Sequence, residues 1–537
     1  MPLKPQFSAR LTIFPVAALA VAVFAFGRPV SASGQTPAPQ VPATAPPATP
    51  GPEVQITSDD AVRMALENNL GIQASRLSPE VQALALTQTR AAFAPTVFTN
   101  ATKDSRSTPL SNFLGGSNAF VTNEGLRTNV GVLQQLPWGG GDYQISMDGS
   151  RNTTSDPSDP FNPRLTSNLN FTFTQPLLRD FAIDNVRQQL LLGEKQQEIV
   201  DVQLQQQVTQ TSRRVRSAYF DLIGAIGQLG VARQTLELSQ QSLKDNETRV
   251  EVGTLPPIDI IEAQAEVSRN EENVIIAEAR IKTLEDILRT LIMNPSQPDF
   301  WTTHITPAEE PVVTPQPIDV EGAVANALAN RTDLAQARKE LEQTDIGIKF
   351  ARNQRLPAVN AVVNYGLAGV GGTRLEFDNT SGVFPPPVTN QTQRSFNDAL
   401  RDIFGNEFRT WSFQLQVNYP IGTSAAEAAL AQGRLQRQQG TTTLRQLEMQ
   451  VATSVRDAGR QVETSLKRVE ATTKAREFAE RRLEAEQKRT TVGLSTTFQL
   501  FQAQRELSQQ RLSELTATID YNRALVNFQA VQSVPIQ

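Results

Sequence analysis

From Asp184 to Val250 the sequence carries no proline, and a large aliphatic residue recurs at every seventh position: Val215, Leu222, Leu229, Leu236, Leu243 and Val250. Between them fall Ala218, Ala225, Ala232, Ser239 and Asn246. Large and small residues alternating along a 3.5-residue seam let neighbouring helices approach closely. At about 1.5 Å per residue the stretch makes a rod about 100 Å long, and a compact globule has no use for such a rod. After Val252-Gly253 a return helix repeats the device with Ile260, Val267, Val274, Ile281 and Leu288, interleaved with Ala263, Asn270, Ala277, Leu284 and Leu291.

The chain contains itself twice. A shift of 262 residues superposes Ala61-Val62 on Ala323-Val324, Ala65-Leu66 on Ala327-Leu328, and Pro95 on Pro357. A shift of 244 superposes Gln175-Pro176-Leu177 on Tyr419-Pro420-Ile421. A shift of 240 superposes Val215-Arg216 on Val455-Arg456, Val252-Gly253 on Val492-Gly493, and Ala263-Gln264 on Ala503-Gln504. Landmarks in one order at nearly equal spacing mark an internal duplication. Each half reads helix, strands, very long helix, tight turn, long helix. In the strands the period changes to two. Leu169, Phe171 and Phe173 alternate with Asn168, Asn170, Thr172 and Thr174, and Phe413, Leu415, Val417 and Tyr419 alternate with Ser412, Gln414, Gln416 and Asn418. One apolar and one polar face per strand suits either a sandwich or a membrane barrel, and Trp411 and Tyr419 suit an interfacial belt.

Residues 1–32 read as a secretory signal peptide, with Lys4 and Arg10 flanking an apolar run from Leu11 to Phe26 and a small-residue site at Val30-Ser31-Ala32. The run is shorter than the ~20 residues of a spanning helix, and no other stretch qualifies. Cleavage would remove three basic residues and no acid, taking the net charge from −5 to −8, which argues against nucleic acid as a partner. Residues 33–55 form a Pro/Ala-rich linker. Residues 56–310 are the first repeat and 311–537 the second, divided by a Pro-rich stretch. Cysteine is absent, so the exported chain has neither disulfides nor a cysteine lipid anchor.

With these features assembled, the chain resembles the TolC-type outer-membrane efflux proteins. Pro95 and Pro357 resemble that family's helix-to-barrel junctions, Gln175-Pro176-Leu177-Leu178 and Tyr419-Pro420-Ile421-Gly422 its strand-to-helix exits, and Arg331-Thr332-Asp333-Leu334 an Arg-Pro-Asp-Leu motif early in its second repeat. The resemblance covers residues 56–530. It implies a mainly α fold with a membrane β-barrel: a duplicated protomer with about four barrel strands and long coiled helices, three copies of which form a twelve-stranded barrel above a periplasmic tunnel. It further implies the outer membrane of a Gram-negative-type bacterium, contact with its lipid, and a passive exit duct. An inner-membrane pump would couple to that duct through a periplasmic adaptor (membrane fusion protein). Many relatives are lipoproteins; this cysteine-free chain departs from them. It also departs between Pro95 and Pro176, where a surplus includes a hairpin, Arg127 to Leu136 and Tyr143 to Ser150, that either lengthens barrel strands or forms an extracellular flap. Phe396 to Phe408 reads as a short amphipathic helix in the opposite external loop. The competing reading is an exported coiled-coil adaptor or scaffold with no barrel, its strands packed as a soluble sandwich.

The sites follow from the same resemblance. The two tip turns, Val252, Gly253, Thr254, Leu255 and Val492, Gly493, Leu494, Ser495, are expected to dock the adaptor, although a helix C-cap alone would also explain the glycines. Several relatives carry a carboxylate ring one turn into the helix after the second tip; here the matching residues are Gln499 and Gln502, so an amide ring is expected at the tunnel mouth. Arg249, Asp259 and Glu262 are expected to form polar pairs that close the tip. No catalytic or cofactor-binding constellation is found. His304 stands alone in a Pro-rich linker, Gly366, Gly369, Gly371 and Gly372 precede no helix, and Ser155-Asp156-Pro157-Ser158-Asp159-Pro160 reads as an exposed loop before a cation site.

Overall fold

The structure, a computed structural model, describes residues 52–109, 120–156, 159–378, 380, 382, 386–422 and 424–532. The expected signal peptide and most of the expected linker lie outside the described residues. The chain begins with strand β1 (Glu53–Ile56), so the last residues assigned to the linker are ordered into a strand too short to show a period. Helices α1 (Ser58–Asn68) and α2 (Leu70–Ala91) lead to four strands, β2 (Thr96–Pro109), β3 (Phe120–Gln135), β4 (Asp142–Thr154) and β5 (Phe161–Pro176). The long helix α3 (Asn185–Glu251) and its return α4 (Ile258–Ile292) complete the first half. After β6 (His304–Pro307) the plan repeats with α5 (Val320–Asn330), α6 (Thr332–Gln354), β7 (Ala358–Phe377), β8 (Val388–Arg394), α7 (Phe396–Phe404), β9 (Phe408–Asn418), α8 (Ala425–Thr491) and α9 (Thr497–Val531).

The helical duplication is nearly residue for residue: α3 and α8 each have 67 residues, α4 and α9 each 35, α1 and α5 each 11. Each long helix begins on a side-chain cap that accepts an otherwise unsatisfied backbone N–H. Asp184 accepts from Arg187 N at 2.7 Å and Ser424 from Glu427 N at 3.2 Å. The seam is buried in its upper part and half-buried at Leu229, Leu236, Leu243 and Val250. Val215 and Leu222 are fully buried, and Ala218, Ala225, Ser239 and Asn246 are buried beside them. The counterparts Val455, Ala458 and Val462 are buried in the second half, as are Ala263 and Ala503 in the return helices. Among the described residues three cores result, one where α1, α3 and the end of α4 meet β1 and β6, one where α5 meets α8 and α9, and a small one between α8 and α9 around Ala479, Leu483, Ala503 and Leu507. Tyr219 fills the first and donates its hydroxyl to Ile56 O at 3.1 Å. Burial pushes its pKa up to about 12. His304 sits in β6, which pairs in parallel with β1, with Nδ1 3.5 Å from the Glu285 carboxylate; within the Pro-rich linker expected there, His304–Pro307 form a strand and residues 308–319 have no helix or strand.

Among the described residues the larger sheet has seven strands in the order β2-β3-β4-β5-β7-β8, with β9 also on β7. Strand β7 is shared along its length: Ala358–Ala368 pairs with β9 and Gly372–Phe377 with β8. The extra hairpin is therefore neither a flap nor a lengthening. Strands β3 and β4 run the full height of the sheet in unbroken antiparallel register with β2 and β5, and their connecting turn lies at the helical end. There Gly140 has φ +68°, and a Cβ on it would stand 2.2 Å from Asp180 O, so this turn tolerates only glycine against the β5–α3 exit. Six strands, β2, β3, β4, β5, β7 and β9, thus reach the helices, where the resemblance implied about four. Beneath them α2 packs on α3, α3 on α6 and α6 on α8, in the order of the strands above.

Candidate functional site

Register assigns every strand residue to one of two faces, because directly opposed residues in an antiparallel pair project to the same side. One face carries Val97, Val132, Ile145, Phe171, Tyr365 and Trp411, linked successively by the pairings Val97↔Val132, Val132↔Ile145, Ile145↔Phe171, Phe171↔Tyr365 and Tyr365↔Trp411. It is an apolar band, and much of it is open: Trp411 is 73% exposed and Phe413 63%. The opposite face is a ladder of amides and hydroxyls. Asp148 accepts from Asn129, and from Asn170 Nδ2 at 2.8 Å; Thr172 Oγ1 donates to Asn364 Oδ1 at 2.9 Å; and Asn364 Nδ2 donates to Ser412 Oγ at 3.2 Å. Toward the outer end α7 lies on the first face. A Cβ on Gly369 would stand 1.8 Å from Ala399 O and one on Gly371 2.7 Å from Ser395 O, so these two glycines form its seat. Arg394 pairs with the buried Asp402 of α7 at 2.7 Å.

At the other end of the rods the two tip turns share one backbone. Gly253 and Gly493 both have φ +76°. Thr254 N donates to Arg249 O at 2.8 Å, and Leu494 N to Arg489 O at 2.8 Å, the six-residue closure that satisfies carbonyls at a helix end. Their onward paths differ. Pro256-Pro257 starts α4 without a side-chain cap. Thr496 starts α9 with a capping box, in which Gln499 Oε1 accepts from Thr496 N at 3.4 Å, and Ser495 Oγ donates to the same Gln499 oxygen at 2.9 Å. Exposed apolar residues ring both turns: Val252, Ile258 and Ile261 on the first, Val492, Leu494 and Phe498 on the second.

The sequence matches the outer membrane efflux protein family over residues 142–292 and 323–531. The chain belongs to that family. It is an outer-membrane efflux protein, its sheet in the membrane and its helices extending into the periplasm, and the family is one of transport channels rather than enzymes. Solved structures share the fold at low identity. A membrane protein from Pseudomonas aeruginosa is 16% identical with a TM-score of 0.63, over 88% of this chain and 90% of that one. The Campylobacter jejuni CmeC outer membrane channel is 12% identical with a TM-score of 0.62, over 89% and 85%. The outer membrane protein VceC of Vibrio cholerae is 14% identical with a TM-score of 0.60, over 89% and 96%. No curated protein matches by sequence.

Within this efflux protein the sequence-predicted tip residues fall into two clusters at the ends of the paired hairpins. Arg249 Nη1 donates to Thr490 O at 3.3 Å, tying the first tip to the second within one chain. Among the described residues Arg249, Asp259 and Glu262 form no ion pair inside the chain. Gln499 is engaged in its helix cap, whereas Gln502 is exposed. Two features escaped the sequence reading. Near the tip, buried Glu266 of α4 pairs with Arg505 of α9 at 3.3 Å, and Gln504 Nε2 donates to Ser242 Oγ at 3.0 Å. Near the sheet, Lys195 and Glu198 of α3 interlock with Lys339 and Glu342 of α6, with Lys195–Glu342 at 2.8 Å and Lys339–Glu198 at 2.5 Å. The bond from Lys339 holds the Glu198 carboxyl below its usual range, and the bond from Lys195 does the same for Glu342. Alternating Lys-x-x-Glu segments in both helices were a signal for the second feature. The first had none, since Glu266 and Arg505 sit on separate helices far apart in sequence.

Proposed function

We propose that three copies of this chain form a passive exit duct, driven by an inner-membrane pump coupled through a periplasmic adaptor whose helical hairpins dock on the tip turns. The observation that carries this reading is continuity. A sheet with one apolar and one polar face runs directly into rods of 67 residues that end in exposed apolar turns. The apolar face meets lipid, the polar ladder meets water, and the rods span the gap to a partner. Energy enters from the pump, and the duct supplies only an opening. A scaffold without a barrel would need something to cover Trp411, Phe413, Leu415 and Val417, all exposed on one face.

Val252, Gly253, Thr254, Leu255 and Val492, Gly493, Leu494, Ser495 are the docking residues in this reading, and the differing exits after the glycines make two unequal grooves. Gln499 and Gln502 ring the tunnel mouth with amides, so divalent cations bind weakly there. Arg249, Asp259 and Glu262 pair across neighbouring copies to hold the tip shut.

Fractionation with gel migration before and after heating tests the duct: a heat-sensitive trimer in the outer membrane is expected, and a soluble periplasmic monomer contradicts it. Photo-crosslinkers at Val252 and Leu494 test the docking, with adducts to a periplasmic adaptor expected from both tips. Strong block of conductance by periplasmic divalent cations, relieved by substituting Gln499 or Gln502, would overturn the amide ring.

A further inference from the structure

Two edges of the protomer are unfinished, and they match. Strand β2 ends the sheet on one side and β9 forms the helix-proximal end of the other; β9 is exposed along its whole length and β2 along nearly all of it. The helices beneath them are edges too. Below β2, helix α2 exposes Leu70, Leu77, Val81 and Leu84 along one stripe, and below β9, helix α8 exposes Leu435 and Met449. Open strand edges and apolar helix stripes inside one wall are stable only when another chain covers them. The opposite edge of a second copy offers a complementary strand and stripe at the same heights.

The strand count then sets the girth. Each protomer contributes four helices, α2, α3, α6 and α8, and six strands at their junction. We propose that three copies close an eighteen-stranded barrel in which β2 of one copy pairs with β9 of the next. This rests on the trimer reading above and departs from the twelve strands that the family resemblance implied. Strand β8 is not counted, because it pairs only with the outer end of β7 and does not reach the helices.

Elementary spacing converts the number into a girth. Twelve helices packed at about 9 Å form a ring about 110 Å around. Eighteen strands spaced about 4.8 Å apart and tilted about 40° also measure about 110 Å around, whereas twelve measure about 75 Å. The β3–β4 hairpin, which has no helix beneath it, supplies the two further strands of each protomer. Its glycine turn tucks against the β5–α3 exit, where Gln175 Nε2 donates to Gly139 O at 2.8 Å. Barrel diameter grows roughly linearly with strand number, so the backbone cylinder is about 1.5-fold wider than a twelve-stranded one, about 36 Å against about 24 Å. The narrow passage then lies at the periplasmic tip, and the membrane end passes whatever the tip admits.

Electron cryomicroscopy of the full-length protein in detergent counts the strands directly in a section through the barrel. Eighteen strands around three copies are expected. Twelve strands around three copies overturn the proposal and leave the trimeric duct intact; any other number of copies overturns the trimer reading beneath it. The absence of cysteine allows an independent check. Asn100→Cys on β2, combined in turn with Ser412→Cys, Gln414→Cys or Gln416→Cys on β9, is expected to yield a covalent trimer on oxidation from at least one pair. Ser146→Cys on β4 combined with the same β9 positions is expected to give none. A trimer from the β4 pairs instead would place the family's four strands at the junction and overturn the proposal.

Discussion

The helices and the sheet of this protein have treated the same duplication differently. Below the membrane the long helical hairpins of the two halves agree to the residue, 67 against 67 and 35 against 35. Among the described residues the first half gives the larger sheet four strands and the second half three, of which two reach the helices. The contrast has a physical origin. Paired helices share one seam, so an insertion in either would throw Val215, Leu222 and their counterparts out of register with everything they touch. A hairpin enters a sheet whole: it brings its own hydrogen-bond ladder, keeps the alternation of faces, and leaves the two flanking strands in register with it. Length is fixed in the rods and free in the wall of the barrel.

The largest effect that probes this contrast is expected at the shared helical core. Leu222→Ala empties a fully buried site and is expected to cost about 2–5 kcal/mol, whereas Leu229→Ala, one heptad on and half-buried, costs clearly less; denaturant unfolding of both variants measures the gap. Next comes the seat of α7, which among the described residues belongs to the second half alone. Gly369→Val drives side-chain atoms into the Ala399 carbonyl, an overpacking expected to cost about 1–3 kcal/mol and to free residues 395–405 for limited proteolysis. Gly366→Ala, whose Cβ finds no atom closer than 3.3 Å, is expected to leave that segment protected. The tips come third. Gly253→Ala and Gly493→Ala place a Cβ at φ +76° and are each expected to cost about 1–2 kcal/mol. Equal losses in thermal unfolding would show that the duplication extends to the turns, and unequal ones that the Pro256-Pro257 exit already strains the first.

The smallest effect lies in the charge cluster joining α3 to α6. The Glu198 and Glu342 carboxyls are held below their usual range by hydrogen bonds from Lys339 and Lys195 respectively. A lowered carboxyl pKa contributes stability above about pH 4.3 that is lost as the pH falls through the shifted value. Lys195 and Lys339 are raised, so their share is complete below about pH 10.4 and is lost only in stronger alkali. Because all four groups lie near the surface, screening by solvent keeps the effect small. Glu198→Gln combined with Glu342→Gln is expected to lessen the loss of stability below about pH 4.3 while changing neutral stability little.

The sequence made the rods, their seam and the duplication legible because each repeats over many turns, and the two faces of β5 and β9 because strict alternation survives on both. The strand count was not legible. Residues Phe120–Gln135 include Asn123, Gly125, Arg127 and Gly131, and the paired neighbours that make a barrel strand of them are set by the sheet. Likewise β1 and β6 each have 4 residues, fewer than any period needs. At the tip the glycines identified the turns, while the buried Glu266–Arg505 pair depends on how two return helices lie together.

The orientation of the sheet toward lipid is the point on which everything else turns, and tryptophan fluorescence tests it most directly. The chain has 3 tryptophans; Trp138→Phe with Trp301→Phe leaves Trp411 alone on the apolar band. Reconstituted in bilayers, that variant is expected to be quenched strongly by lipids brominated on their acyl chains and little by aqueous iodide. Free access of iodide, with no response to the brominated chains, would contradict a membrane barrel and return the sheet to a water-facing scaffold.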